Sequence, residues 1–366
     1  MKQTKQKIFF QRTKVDNRSI LLAFLVAALG FAIVFCFRTQ VTTSYQTIQL
    51  NAAKRMEQCE TILYDYVIAN GIPIETEDLN KTGLLGPEFT PLTTTLGQVE
   101  AKRTALNPNF AAMMVKYFHQ ANLKKGDTIA VGTSGSFPGL TLATLSAATE
   151  MGLNTKVIAS FGSSMYGGTR IELPTPKMIR ILKEEGLLTF DLLAVSPGGT
   201  DDHGESVLWA DARETIASLA KEEGVEYIDA PTIEDSIARR LALFGEEIMC
   251  FVNVGGASAN SGTSAYTLDF PGGLVIDPPR IPVTNNRGLI YEYAARNIPV
   301  INMLNVRELS AEHGLPFDPV PLPNVGEGGV YQEISYFGLL SLGCVILSLV
   351  ILFVGRLKNQ FFNKIL

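Results

Sequence analysis

The sequence is short of the residues that build metal clusters and disulfide frameworks. It has 4 Cys and 3 His in 366 residues. Cys36 and Cys344 lie inside apolar runs, which leaves Cys59 and Cys250 as the pair that could form a disulfide in an oxidising compartment. Two cysteines far apart in sequence do not make a disulfide framework, so a cysteine-stapled fold and a Cys-type metal cluster are both excluded.

The chain also lacks a basic run between its two ends. Once the nine cations beside the apolar runs and Asp16 are set aside, 22 Lys and Arg face 35 Asp and Glu, a net charge of about −13. This composition excludes a nucleic-acid-binding surface. A polyanionic partner would be repelled everywhere except at a specific local site.

Charge is absent from two long stretches, 19–37 and 336–355, and each has about the length that crosses a bilayer core. Cations lie beside their outer ends: Lys2, Lys5, Lys7, Arg12, Lys14 and Arg18 before the first stretch, Arg356, Lys358 and Lys364 after the second. The positive-inside rule therefore predicts a two-pass protein of the cell (inner) membrane with both termini in the cytoplasm. An uncleaved anchor is favoured over a signal peptide, because the sequence after the first stretch offers no small-x-small cleavage site.

These features predict a division of the chain into six segments. They are a basic cytoplasmic tail (1–18), a transmembrane helix (19–37), a helical and extended extracytoplasmic segment (38–123), an α/β extracytoplasmic domain (124–333), a second transmembrane helix (334–355) and a basic cytoplasmic tail (356–366).

Apolar spacing predicts the elements between the two spans. A long helix over 43–71 and a second over 108–123 enclose an irregular segment rich in Gly, Pro and Thr. Short apolar strands beginning near 128, 156, 191, 225, 248 and 299 then alternate with helices at 140–151, 175–185, 206–223, 232–244, 287–296 and 306–313. The fold class is therefore α/β, a mainly parallel sheet with helices on both faces, preceded by a helical segment and flanked by one transmembrane helix at each end.

Four predicted strands open into loops of Gly, Ser and other small polar residues, at 132–139, 161–170, 197–206 and 255–264. Because ligands of parallel α/β sheets bind beyond the carboxyl ends of the strands, we expect these loops to form one site. Arg170 is the cation best placed to hold a carboxylate. The candidate substrate-binding residues are Thr94, Thr133, Ser163, Arg170, Gly199, Ser258 and Asn260.

The first loop permits three interpretations. Ser136 suits a helix cap and Pro138 the first helical turn, whose amides would attract an anion. The sequence Gly132-Thr-Ser134-Gly135 misses the Gly-x-Ser-x-Gly pattern of a nucleophile elbow. An anion cradle, a simple connector and a nucleophilic serine all remain open.

The third loop contains the acidic stretch Asp201, Asp202, His203 and Glu205. These residues could hold a divalent metal, act in acid–base catalysis, or form a solvated loop that caps the next helix. Ser134 or Ser136 with His203 is the candidate catalytic set, since the loops should be neighbours.

Four stretches of the chain resemble the poly-gamma-glutamate system protein family, bacterial proteins encoded with the enzymes of the poly-γ-glutamate capsule. They are 83–115, the "GTSGSFPGLTLATLSAATEMGL" stretch, "SFGSSMYGGT" and "SPGGTDDHGES". The resemblance implies an accessory role in capsule-polymer synthesis or export, with membrane synthase subunits as partners. The resemblance does not identify any catalytic residue in this chain.

The function that we expect is binding of poly-γ-glutamate, or another acidic peptide-like polymer, by the extracytoplasmic domain. Two alternatives remain. One is a γ-glutamyl amide hydrolase or transferase that acts on the polymer. The other is a non-catalytic scaffold for the synthase, in which Gly338 and Gly343 would allow close packing of the second span.

Overall fold

The computed structural model describes residues 15–278 and 280–362. The chain divides into two compact units: one contains the residues up to Thr43 and those from Gln332 onward, and the other is Ser44–Tyr331. The predicted tail residues 1–14 and 363–366 lie outside the described residues.

The helices of the described chain are α1 (Asn17–Cys36), α2 (Gln46–Ala69), α3 (Val99–Thr104), α4 (Asn109–Gln120), α5 (Pro138–Met151), α6 (Thr175–Glu184), α7 (Ala212–Glu222), α8 (Ile233–Phe244), α9 (Ser258–Ser261), α10 (Gly288–Ala294), α11 (Val306–Glu312) and α12 (Gly338–Phe362). The strands are β1 (Thr39–Thr42), β2 (Thr93–Thr95), β3 (Thr128–Thr133), β4 (Asn154–Ser160), β5 (Ser163–Ser164), β6 (Asp191–Ser196), β7 (Glu226–Tyr227), β8 (Cys250–Val254), β9 (Gly273–Val275), β10 (Val300–Met303) and β11 (Gln332–Ser335).

The first unit contains the two apolar helices. α1 and α12 are both long and apolar enough to cross a membrane, which is compatible with a two-pass membrane protein. β1 pairs antiparallel with β11. α1 and α12 approach closely at Gly30, where a Cβ atom would lie 2.8 Å from the Cβ of Cys344. Gly338 and Gly343 do not serve this packing, since a Cβ at either would meet no described atom within 4 Å.

The second unit is built on a seven-stranded sheet in the order β7-β6-β4-β3-β8-β10-β9. Its strands pair in parallel except β9, which is antiparallel to β10. The order reverses at β3, because the chain runs outward through β4, β6 and β7 and then returns to place β8 on the other side. The predicted mainly parallel α/β sheet is confirmed.

Helices cover both faces of this sheet. Ile129 and Val131 of β3 point into one core with α2, α4, α5 and α6, while Ala130 points into a second core with α8 and α10. Strands buried on both faces are rich in apolar residues, as β3, β4 and β8 are at 129–131, 157–159 and 250–252.

The helical segment before the sheet belongs to the same unit. The predicted helices at 43–71 and 108–123 are α2 and α4, and both pack on α5. Cys59 of α2 and Cys250 of β8 are buried and free, so the disulfide that the sequence left open is not formed.

The local structure differs from the sequence prediction at several places, among them the short helices α3 and α9, which were not predicted. α7 begins at Ala212 and not near Ser206. The antiparallel edge strand β9 was not predicted. The irregular segment before α3 contributes β2, which pairs in parallel with β5 just beyond the end of β4.

Candidate functional site

A cavity of about 460 Å³ lies at the carboxyl ends of the strands in the second unit. We call it the switch-point cavity, because it opens where the sheet order reverses between β3 and β8, the usual ligand position in open α/β sheets. Its lining residues are Thr94–Gln98, Ala101, Ser134, Ser136, Phe137, Gly162, Ser164, Gly199, Thr200, Gly256–Ser258, Leu304–Arg307 and Phe317.

The loop after β3 forms one wall of the cavity. Ser134 is anchored to β8 by a hydrogen bond from its amide to the carbonyl of Val254 (3.0 Å). Ser136 does not cap α5 as the sequence suggested, because the N-cap residue is Phe137. The Ser136 hydroxyl instead accepts a hydrogen bond from the Ser164 amide at 3.0 Å.

The second wall combines the loop after β4 with the segment that precedes α3. β2 runs parallel to β5, with Thr93 opposite Ser163 and Thr95 opposite Ser164. Thr94 lines the cavity, and its hydroxyl donates to the Ser163 carbonyl at 3.2 Å. The Thr-rich segment is therefore an ordered part of the cavity wall.

The loops after β6, β8 and β10 complete the cavity. Gly199 and Ser258 both line it, and the Ser258 hydroxyl accepts from the Asp201 amide at 3.2 Å. Arg307, in the first turn of α11, lies 3.8 Å above the ring of Phe317. Arg307 is the one charged side chain among the described residues of the lining.

A buried lysine lies directly behind the cavity wall. Lys102 of α3 is 4% exposed, and its ammonium group lies 3.6 Å from the centre of the Phe137 ring. Its Nζ atom is 2.5 Å from the carbonyl oxygen of Ser136 and 2.6 Å from Oγ of Ser164. Burial lowers the pKa of Lys102 to about 7, because the interior disfavours the charged form.

The acidic loop does not assemble the predicted metal site. Asp202 is buried and forms an ion pair with Arg240 (2.9 Å), while it also accepts hydrogen bonds from Ser196 and Ser236. No group of three or more His, Cys, Asp or Glu side chains within 15–278 and 280–362 is arranged to hold a metal ion. The side chains of Asp201, Asp202, His203 and Glu205 therefore do not converge as ligands.

The predicted pairing of a serine with His203 is also not formed. Ser134 and Ser136 line the cavity, but His203 does not. The described hydrogen bonds of the two serines include none to the imidazole; the Ser134 hydroxyl accepts from the Ser136 amide at 3.3 Å. A Ser–His catalytic set in this geometry has no contact to support it.

Arg170 stabilises the fold and does not face a ligand site. It is 2% exposed and donates to the backbone carbonyls of Pro73 (2.5 Å) and Leu85 (2.7 Å), with Glu75 at 3.5 Å. The guanidinium fastens the segment before β2 to the unit. The prediction that Arg170 clamps a substrate carboxylate is therefore wrong.

The remaining predicted binding residues lie behind the wall. Thr133 and Ser163 are fully buried and hydrogen-bond to Thr141 and to the Ser164 carbonyl. Asn260 is also fully buried and packs against Gly132. Of the predicted set, Thr94, Gly199 and Ser258 line the cavity.

Ser164 was not among the predicted site residues, and neither were two charged residues at or behind the cavity wall, Lys102 and Arg307. In sequence, each looks like a solvated charge on an ordinary helix. A scan against protein-family models gives no match, and a search of curated proteins finds no significant similarity. The geometry of the cavity is thus the basis for a functional assignment.

Proposed function

We propose that the chain is a membrane-anchored accessory component of poly-γ-glutamate capsule synthesis or export, and that its Ser44–Tyr331 unit binds γ-glutamyl polymer in the switch-point cavity. One observation carries the proposal. A region with a net charge of about −13 contains a cavity whose described lining has one cation, Arg307, and no carboxylate. Such a cavity offers an anion a local site within a repulsive surface.

The lining chemistry suits a chain that carries both carboxylates and amides. Arg307 can bind a carboxylate through paired N–H donors. The hydroxyl groups of Ser134, Ser136 and Ser258 and the backbone of 94–98 can hydrogen-bond amide groups. Poly-γ-glutamate presents these two groups in every repeat.

The membrane arrangement in this proposal follows from the cations beside the spans. Both termini would lie in the cytoplasm, and the Ser44–Tyr331 unit would meet the polymer outside it. The two apolar helices, one near each end, support a two-pass anchor.

The test is binding of defined γ-glutamyl oligomers to the full chain in detergent, measured by calorimetry. Arg307→Gln removes a charged donor, and such hydrogen bonds contribute about 1.5–3 kcal/mol. We therefore expect the dissociation constant to rise by roughly tenfold or more.

Arg296→Gln is the matched control, because Arg296 is exposed and is not part of the cavity lining. Its dissociation constant should equal that of the unchanged chain. Failure of the unchanged chain to bind γ-glutamyl oligomers at millimolar concentration would refute the proposal, as would equal effects of the two substitutions.

A further inference from the structure

Ser164 and Lys102 form a contact that the binding function does not require. Ser164 lines the cavity, and its Oγ atom lies 2.6 Å from Nζ of Lys102. A neutral amine at this position could donate to the Ser136 carbonyl and still accept the proton of the Ser164 hydroxyl. The pair therefore has the geometry of a nucleophile and its base.

The surroundings of Lys102 favour the neutral amine. Burial is what lowers its pKa to about 7, and no charged group contributes to the shift. Within the described chain its polar contacts are the carbonyl of Ser136 and the hydroxyl of Ser164, with the ring of Phe137 alongside. A large fraction of Lys102 is thus unprotonated near neutral pH.

Ser164 is held in one position by two neighbouring segments, the one that contains β2 and the loop after β3. Ser164 lies opposite Thr95 in the pairing of β5 with β2, and the Ser164 amide donates to the Ser136 hydroxyl at 3.0 Å. Gly97 leaves space beside the hydroxyl, since a Cβ there would lie 3.1 Å from the Ser164 Cβ and 3.2 Å from its Oγ. The hydroxyl is fixed at the cavity wall, where a bound chain would pass.

We propose that Ser164 is a nucleophile and Lys102 its general base, and that the pair cleaves or transfers an amide bond of a peptide-like acidic chain bound in the switch-point cavity. The identity of that chain as γ-glutamyl polymer rests on the function proposed above. The catalytic pair itself rests on the contacts of Ser164 and Lys102.

The reaction proceeds in two steps. The Lys102 amine takes the Ser164 hydroxyl proton as Oγ adds to the amide carbonyl carbon, and the resulting ammonium protonates the leaving nitrogen as the C–N bond breaks. This gives an ester on Ser164 and a free amine. Water, or a second amine, then attacks the ester while Lys102 takes its proton and returns a proton to Ser164 Oγ, which releases an acid or a new amide.

A fluorophosphonate probe tests the pair without reference to the natural substrate, because it phosphonylates activated serine hydroxyls. The full chain in detergent is treated with the probe, and the labelled residue is identified by peptide mass spectrometry. We expect labelling at Ser164 with a rate that rises with pH and has its midpoint near 7.

Ser164→Ala should abolish the labelling, and Lys102→Met should lower its rate by about 100-fold or more, the usual effect of losing a general base. Lys125→Met, at an exposed lysine, is the matched control and should label normally. Fluorescence of the single Trp, Trp209, during denaturation verifies that each variant is folded. Lys102→Arg retains the hydrogen-bond donors but cannot act as the base, so it should resemble Lys102→Met.

The outcomes separate the two proposals. Absence of probe on Ser164, or equal labelling of a folded Lys102→Met variant, overturns the catalytic pair even if γ-glutamyl oligomers bind. Lys102-dependent labelling of Ser164 upholds the pair. If γ-glutamyl oligomers are then neither bound nor shortened, the proposed function fails and the pair acts on another amide.

Discussion

Asp202 shows how a residue in an acidic loop can belong to the protein interior. Its two carboxylate oxygens accept hydrogen bonds from Ser196 (2.8 Å), the Gly198 amide (2.9 Å), Ser236 (2.6 Å) and Arg240 (2.9 Å). The Arg240 side chain is fully buried. Since four donors satisfy the carboxylate, Asp202 fixes the loop after β6 beside the cavity and has no coordination capacity for a metal.

We expect Asp202→Ala to lower the free energy of unfolding by about 3–5 kcal/mol, because it leaves the Arg240 guanidinium buried without a counterion. The measurement is denaturant unfolding of the full chain in detergent, followed by Trp209 fluorescence. Adding Arg240→Met should recover part of the loss. The control is Asp229→Ala, which breaks the exposed pair with Arg213 and should cost less than about 1 kcal/mol. Equal costs for the two single variants would contradict this assignment.

His313 gives the unit a predictable response to pH. Its ring is buried, with Nε2 2.7 Å from the Tyr117 hydroxyl. Burial, with a smaller effect from Lys116, lowers the pKa of His313 from 6.5 to about 4. Below about pH 6.5 the unfolded chain therefore binds a proton that the folded chain does not.

The stability that His313 contributes is complete above pH 6.5 and is lost progressively as the pH falls to about 4. A shift of this size corresponds to a loss of roughly 3 kcal/mol. His313→Gln removes the titrating group, so the difference in unfolding free energy between this variant and the unchanged chain should change with pH across that window and be constant above it. A difference that does not depend on pH between 6.5 and 4 would contradict the prediction.

At the scale of elements, the sequence predicts the helices and strands that have a clear apolar period, a distinct apolar run or a recognisable end signal. β3, β4 and β8 contain short apolar runs at 129–131, 157–159 and 250–252. α5 ends at Met151, and its C-cap residue Gly152 adopts the left-handed conformation at φ 65°. β9 has three residues that begin with Gly273, too few to establish a period. β2 and β5 depend on tertiary pairing between segments distant in the chain, which local pattern does not encode.

The sequence predicts which loops form the candidate site, but not which side chains in or behind them could act on a ligand. Parallel strands place their following loops together, so Ser134, Gly199 and Ser258 reach one cavity as the topology requires. Lys102 lies in the sequence "VEAKRT", which has the composition of a solvated helix face. Its burial depends on how α3 packs beneath the loops after β3 and β4. Arg170 was predicted to face a ligand but is buried, and the reason is the same, because burial depends on tertiary packing.

At the scale of the whole molecule, charge is distributed unequally. The segment between the spans is acidic, yet the described lining of the switch-point cavity has the cation Arg307 and no carboxylate. An acidic exterior repels a polyanion in general, while a cavity of this composition would attract one locally. This arrangement would suit a polymer that must contact one site and then leave, rather than coat the surface.

The proposed membrane arrangement makes a prediction about sidedness that can be measured in intact cells. Cys59 and Cys250 are buried, so a chain with Cys36→Ser and Cys344→Ser has little background for a small sulfonated maleimide that does not cross membranes. Val283 is 98% exposed. Lys358 is also exposed and lies near the C-terminal end of α12, which begins at Gly338.

In that background, Val283→Cys should be labelled in intact cells, whereas Lys358→Cys should be labelled only after lysis. In the proposed arrangement, the cations beside both spans would hold the termini in the cytoplasm, and the Ser44–Tyr331 unit would then lie on the other side. The reverse pattern would place the cavity in the cytoplasm and remove the argument that it meets exported polymer. Labelling of both residues in intact cells would mean that the two ends of α12 are not separated by a membrane, and α12 would then not be a span.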